Sequence, residues 1–388
     1  CLLALMSWKM KSKNDWGRLV LTSNYETRPL GELVEFVAKG IPPKYASEKT
    51  DETITVLNQK TNRNFKIDYK LARLNDLSKK KVPAEKMLIA NDVLINSTGV
   101  GTAGRIAQLL SVPEPTTVDG HMIIVRADSD KINPVYLGYA LKAQQKIVEN
   151  LQEGSTGQTE LNRQRLLDEI EIQFPTDMEK QDEIASLFLS LDNRIAENDK
   201  INHHLAEMAE SIWKEKYANL KPNSTLGNFF PIITGKKDAN VARGGQYPFF
   251  SCSQGISYTD AYSFEGNAIL LAGNGDFNVK TYNGKFEAYQ RTYVLIPNNE
   301  YRLGFLYYAI KHFLSDITAG DRGSVIKYIT KGDIENLNLY MPDDESDFEL
   351  FNQFVSNTAQ NNAEIERLTE TRDTLLPKLM SGELSVID

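Results

Sequence analysis

Between Pro175 and Leu220 apolar residues recur in steps of three and four: Ile184, Phe188, Leu191, Ile195, Ile201, Leu205, Met208 and Ile212, with Asn198 between Ile195 and Ile201. Such a heptad seam predicts one helix from about Met178 to Lys216, roughly 58 Å long at about 1.5 Å per residue. A helix of that length does not fit inside a small domain. A second seam follows Pro342: Phe351, Phe354, Thr358, Asn361, Ile365, Leu368, Arg372, Leu375 and Leu379. Asn362-x-x-Ile365 in it echoes Asn198-x-x-Ile201. Two heptad helices in one chain pack on each other most simply as an antiparallel pair. The polar seam residues Asn198, Thr358, Asn361 and Arg372 either set the register or lie at a solvent-facing edge.

The segments ahead of the two helices match element for element. Leu30-Gly31 and Leu226-Gly227 open them, and each then reaches a glycine with basic neighbours, Gly40 with Lys39 and Lys44, Gly235 with Lys236 and Lys237. A strand ending in a glycine turn comes next, Asp92–Asn96 before Gly99 and Asn267–Leu271 before Gly273. Another strand follows, then a helix near Val135 or Leu303, a Gly-x-x-Gly turn (Gly154–Gly157, Gly320–Gly323), a last strand and a proline. The chain is therefore an α+β protein: two tandem copies of a β-rich mixed α/β globule, each followed by a long helix. The predicted boundaries are an arm at 1–27, a first domain at 28–175, a central helix at 176–220, a second domain at 221–342 and a C-terminal helix and tail at 343–388.

The net charge of −8 is concentrated in the helices, −5 over 176–220 and −8 over 343–388, which leaves the globules slightly basic. The stretch 60–86 holds nine basic residues against Asp68, Asp76 and Glu85. A local excess of this kind suits a phosphate backbone even on an acidic protein, the competing account being a solvated loop. With only Cys1 and Cys252 there is no disulfide framework and no cysteine-based zinc site, and the four histidines show no ligand spacing. No apolar run approaches the about 18 residues of a membrane span, and a reducing cytoplasm is the expected compartment. The start at Cys1 reads as a truncated or mis-started frame, with Met6 and Met10 as candidate starts; a processed lipoprotein is the alternative.

Gly99-Val100-Gly101-Thr102-Ala103-Gly104 satisfies G-x-G-x-x-G, but Pro113 and Pro115 arrive before a full binding helix can form, so a tight turn is expected. Asn133-Pro134-Val135-Tyr136 resembles an adenine-methyltransferase signature without its second proline; a helix cap is the better account. What the repeat supports is two-part nucleic-acid recognition, with glycine turns offering backbone N–H groups to phosphates unless they are merely structural loops. The candidate DNA-contacting residues are Lys39, Lys44, Lys60, Arg63, Lys66, Lys79, Lys80, Lys81, Thr98, Arg105, Thr156 and Gln158 in the first copy. In the second they are Lys236, Lys237, Asn274, Lys280, Arg322 and Ser324. No catalytic or metal-binding residue is expected.

From about Pro29 onward the chain resembles the specificity (S) subunit of type I restriction-modification enzymes. The resemblance is carried by Leu30-Gly31, Leu226-Gly227, Asp92–Gly99, Tyr247–Ser251 and Gly154–Gly157. Gln181, Ile184, Ala185, Leu191, Asp192, Ile195 and Asn198 add to it, and the ending Leu375–Leu384 is its most specific part. It implies two target-recognition domains, each reading half of a split double-stranded DNA target. The helices would act as spacer and as docking surface for two methyltransferase subunits, with restriction subunits joining where the system cleaves. It also implies no cofactor here: S-adenosylmethionine, ATP and magnesium would belong to the partner subunits. The segment before Arg28 departs from the family pattern. An adenine methyltransferase and a coiled-coil interaction protein without a DNA role are the alternatives.

Overall fold

The computed structural model describes residues 24–153, 160–318 and 328–385 of the chain. Packing groups the chain into two compact units, Cys1–Asn193 with Leu368–Asp388, and Arg194–Arg367. The divisions fall inside the two long helices, so each unit holds one globule with part of each helix, whereas the sequence segments end where globule gives way to helix.

In the first unit the strands are β1 (Tyr25–Pro29), β2 (Val34–Lys39), β3 (Tyr45–Ala46), β4 (Thr53–Leu57), β5 (Asn62–Arg63), β6 (Lys66–Ile67) and β7 (Arg73–Asp76). They continue with β8 (Val93–Asn96), β9 (Ile106–Gln108), β10 (Thr116–Val118), β11 (Met122–Ala127), β12 (Gln152–Glu153), β13 (Glu160–Leu161) and β14 (Glu171–Pro175). Helices α1 (Pro134–Ala143) and α2 (Arg163–Glu169) precede the long α3 (Met178–Tyr217). One sheet has the order β2-β11-β8-β9 and a second β10-β4-β7-β3. β1 pairs antiparallel with β14 from Tyr25↔Pro175 to Pro29↔Glu171, which takes the last residues of the predicted arm into the fold.

Apart from Asn96 and Arg126, the strands β8 and β11 are apolar, because both faces are covered. Val93, Ile95, Ile123 and Val125 enter the core that α1 completes with Leu137 and Ala140, while Leu94, Met122 and Ile124 point into a second cluster with Leu57 and Val118. Asn133 caps α1, its Oδ1 accepting from the N–H groups of Val135 and Tyr136, with Pro134 in the first turn, as the sequence predicts.

The second unit repeats this plan with β15 (Ser224–Thr225), β16 (Ile233–Thr234), β17 (Tyr247–Phe250), β18 (Ser257–Thr259), β19 (Phe264–Ala272), β20 (Val279–Ala288), β21 (Thr292–Leu295) and β22 (Asn338–Leu339). Helices α4 (Leu303–His312) and α5 (Lys331–Glu335), with a short helix at Leu314–Thr318 between them, precede the long α6 (Glu345–Met380). The sheet order β16-β21-β19-β20 reproduces β2-β11-β8-β9, and β17 and β18 extend it. The Leu-Gly openings serve the same purpose in both units. Leu30 N donates to Ile170 O (2.8 Å) and Leu226 N to Leu337 O (2.9 Å). Gly40 and Gly235 are also equivalent, since a Cβ would lie 2.1 Å from Val118 O in one and 2.2 Å from Ala288 O in the other.

The helices run antiparallel. In the first unit Asp192 meets Arg372, and in the second Arg194 meets Glu364, Asn202 meets Asn361 and Asn362, and Lys216 meets Asp347. The predicted seam of α3 needs one correction. Ile201 and Met208 are exposed, and beyond Asn198 the inward face passes through Asn202, Leu205, Ala209 and Trp213. A straight α-helix drifts about 20° per heptad from a strict 3.5 repeat, which moves the buried stripe one position C-terminal along α3.

Candidate nucleic-acid interface

β8 ends at the turn Ser97–Arg105, in which Gly99, Gly101 and Gly104 have φ of 113°, 69° and 83°. Glycine is required at 104 for space as well, because a Cβ would stand 2.6 Å from Glu149 Cα. The chain leaves this turn into strand β9 and not into a helix, which excludes the dinucleotide-binding geometry. Of the N–H groups expected to face phosphates, part are used inside the turn. Thr102 N and Ala103 N donate to Gly99 O, Gly104 N to Asn96 O and Arg105 N to Thr102 O. These four groups are taken within the turn and the end of β8, while Val100 N and Gly101 N donate to no backbone carbonyl among the described residues.

Both units return to this point. Leu161 N donates to Ser97 O (2.7 Å) while Thr98 bridges Glu160; in the second unit Ile329 N donates to Gly273 O (2.8 Å) while Asn274 bridges Tyr328. The predicted Gly-x-x-Gly turns, with Thr156, Gln158, Arg322 and Ser324, lie outside the described residues.

The basic side chains of the first unit fall into two groups. Around the turn, Thr98 Oγ1 shares a hydrogen bond with His121 Nδ1 (2.8 Å) and Lys39 pairs with Glu160. Arg105 donates to Gly101 O (3.0 Å), and Asn62 Nδ2 donates to Arg105 O (2.9 Å), which draws in Lys60, Arg63 and Lys66 of the β5-β6 hairpin. The other group surrounds the buried Asn75, whose Oδ1 accepts from Lys44 N and whose Nδ2 donates to Lys80 O, both at 2.8 Å. There Lys79 pairs with Asp76 (2.7 Å), and hydrogen bonds from Lys79 and Ser78 hold the Asp76 carboxyl at about 2. Lys81 is exposed beside them. Lys39 and Lys79 are thus neutralised, while Lys44, Lys60, Arg63, Lys66, Lys80, Lys81 and Arg105 have no carboxylate partner among the described residues. Tyr45 joins the groups, its hydroxyl reaching the buried Asp119 (3.5 Å) and its ring stacked under Arg73 (3.3 Å). Burial raises the Asp119 carboxyl above its ordinary value.

In the second unit Lys236 lies over the Phe264 ring (5.3 Å), Lys237 bridges Tyr289, and Asn274 stands beside Gly275 at the turn. Lys280 is half-buried, its ammonium donating to Ser253 O (2.7 Å), and burial lowers its pKa. It fastens the 251–254 loop. Sequence reasoning passed over an aromatic and basic set nearby. Tyr247 and Tyr262 pack at 4.8 Å, Lys285 lies 4.9 Å over the Tyr262 ring, and Tyr258 is exposed on the edge strand β18. The interleaving of tyrosines with Lys280 and Lys285 was the available signal. His121 and Asn62, which fasten Thr98 and Arg105, had none, because their partners are distant in the chain.

Two related α/β domains, both joined to an antiparallel helix pair and the first with basic side chains around its glycine turn, define a tandem-domain nucleic-acid-recognition scaffold. The chain belongs to the family described as type I restriction modification DNA specificity domain, whose family model matches residues 22–207 and 221–370, once for each copy of the repeat. Over 168 residues it is 38% identical to the type I restriction enzyme EcoDI specificity subunit of Escherichia coli, a match spanning 41% of this chain and 38% of that one. It is 22% identical over 363 residues to the putative type I restriction enzyme MjaX specificity subunit of Methanocaldococcus jannaschii, covering 83% and 84% of the two chains. Among solved structures it resembles the S subunit of the type I restriction-modification system from M. genitalium, with a TM-score of 0.61 and 19% identity over 94% of this chain and 98% of that one. That likeness bears on the fold, which agrees with the predicted α+β tandem repeat and its antiparallel helices.

Proposed function

We propose that this chain is the DNA sequence-recognition subunit of a type I restriction-modification enzyme. Each domain reads one half of a bipartite double-stranded target, and the helices set the spacing and dock two methyltransferase subunits. One observation carries the reading: the same unit recurs within a single chain, from its Leu-Gly opening to its long helix. Two like readers on one polypeptide suit a target of two separated parts. In this reading the chain is itself non-catalytic and needs no cofactor. S-adenosylmethionine acts with the methyltransferase subunits, and ATP and magnesium with restriction subunits where the system cleaves. The cytoplasm is the compartment that DNA as partner requires, and no helix among the described residues is long and apolar enough to cross a membrane. The methyltransferase alternative gains no support, since the Asn133 amide is engaged through Oδ1 in the α1 cap and through Nδ2 with Asp182 (3.3 Å).

Footprinting of the chain assembled with its methyltransferase partners tests the reading. Protection of two short blocks separated by about one turn of duplex is expected. A single contiguous protected block would falsify the bipartite reading.

A further inference from the structure

In the first unit the hairpin Asn62–Ile67 and the glycine turn enclose a polar recess of about 310 Å³, lined by Arg63, Asn64, Phe65, Arg105 and Gln145 together with the buried Asn62. Its walls are held from several sides. Asn64 and Phe65 form a two-residue hairpin loop in which both have positive φ, 52° and 63°. That geometry ordinarily calls for Asn-Gly. Phe65 tolerates it because its ring packs against Tyr139 (5.4 Å) under the Lys142 ammonium (4.3 Å), and its backbone bridges Ala107 of β9. Asn62 Nδ2 ties the same hairpin to Leu94 O, Asn96 Oδ1 and Arg105 O. The Gln145 amide is engaged on both sides, by Ile106 N and by Glu149, so it forms wall and not contact.

Each arginine is aimed by one bond to a backbone carbonyl, Arg63 Nε to Lys60 O (3.3 Å) and Arg105 Nη2 to Gly101 O (3.0 Å). Neither guanidinium meets a carboxylate among the described residues. Two unneutralised guanidiniums, 42 residues apart in the chain, thus border one recess on a rigid support. Guanidinium forks match the oxygens of a phosphate. The concave shape separates the two kinds of DNA contact. Base edges lie at the bottom of a groove and are reached by convex elements, whereas phosphates protrude and enter recesses.

We propose that this recess takes one phosphate of the DNA backbone, gripped between Arg63 and Arg105, and that the grip sets the register of the first domain on its half-site without reading bases. The inference rests on the DNA-recognition reading above and gives that reading a specific contact. The test uses the full chain assembled with its methyltransferase partners. The assembly is titrated, over a range of KCl, with a duplex containing the motif it methylates and with an unrelated duplex of equal length. Arg63→Ala and Arg105→Ala each lower affinity for both duplexes by the same factor, about tenfold. In the double variant the slope of log K against log salt becomes shallower by about 0.9, the contribution of one phosphate. Because one phosphate is shared, the second substitution adds less than the first. Arg63→Lys keeps the charge and the slope while losing the fork, which separates this role from general damage to the fold. An unchanged slope in the double variant overturns the proposal, and so does an altered base preference in the first half-site, which would make the arginines base readers. A wild-type assembly that does not prefer its own motif would instead sink the DNA-recognition reading.

Discussion

Phe65 puts a large ring where the backbone favours glycine, and the balance there is measurable. A left-handed conformation costs a non-glycine residue about 1–2 kcal/mol, and burying an aromatic ring contributes about 1.5–3 kcal/mol. The ring therefore offsets the strain. Phe65→Ala loses the ring and keeps the strained φ of 63°, while Phe65→Gly loses the ring and relieves the strain. In urea unfolding, Phe65→Gly is expected to be the milder change by about 1 kcal/mol, the reverse of the usual order of alanine and glycine. The usual order would mean that position 65 is unstrained in solution. None of this was visible in the stretch Asn62–Ile67, which reads only as a basic loop until Tyr139 is known to stand beneath it.

The helix pair is joined to the first globule by a charged cluster at Asp192. Arg372 of α6 donates to its carboxylate (2.6 Å), Lys142 of α1 lies 3.6 Å away and the Tyr139 hydroxyl donates at 2.8 Å. Arg372 was expected to set the register of the seam or to lie at its edge. The structure makes it part of an ion cluster linking three helices. Burial pushes the Asp192 carboxyl up, but Lys142 and Arg372 outweigh this and hold it below its ordinary value. Burial lowers Lys142 to about 8, more than Asp192 raises it. The unfolded chain, with lysine near about 10.4, binds more protons than the folded one between these values, so this group makes stability rise with pH from about 8 to about 10. Lys142→Met lacks that gain. The wild type should gain on the variant by about 2 kcal/mol between pH 7 and pH 10 in denaturant unfolding. A constant difference over that range would show that Lys142 is not a buried ammonium.

For the whole molecule, the continuous helices lead to a prediction about spacing. A heptad inserted in α3 near Ala196, with a matching heptad in the facing stretch of α6, adds about 10 Å, or about three base pairs of duplex. The interval between half-sites is expected to change while the bases read do not, and sequencing of the methylated motif decides it. Altered bases at an unchanged interval would end the view of the helices as a spacer.

The order of elements, the tandem repeat, the paired helices, the Asn133 cap and the tight Gly99–Gly104 turn were legible in the sequence. The helices, the cap and the turn each depend on residues within one or two turns or one strand of each other, and the repeat and the helix pairing follow from those local patterns occurring twice. The same local rule explains the seam error at Ile201 and Met208, where a strict heptad ignored the drift of a real helix against its partner. The sequence alone determined which elements form and that they form twice, because apolar period, capping and glycine geometry act over short stretches of chain. Only the tertiary structure decided which cations are neutralised and which are free. Lys39 finds Glu160 across the chain, and Arg63 and Arg105 meet over one recess without a carboxylate in its lining. Those meetings depend on strand pairing between distant segments, which no local spacing encodes.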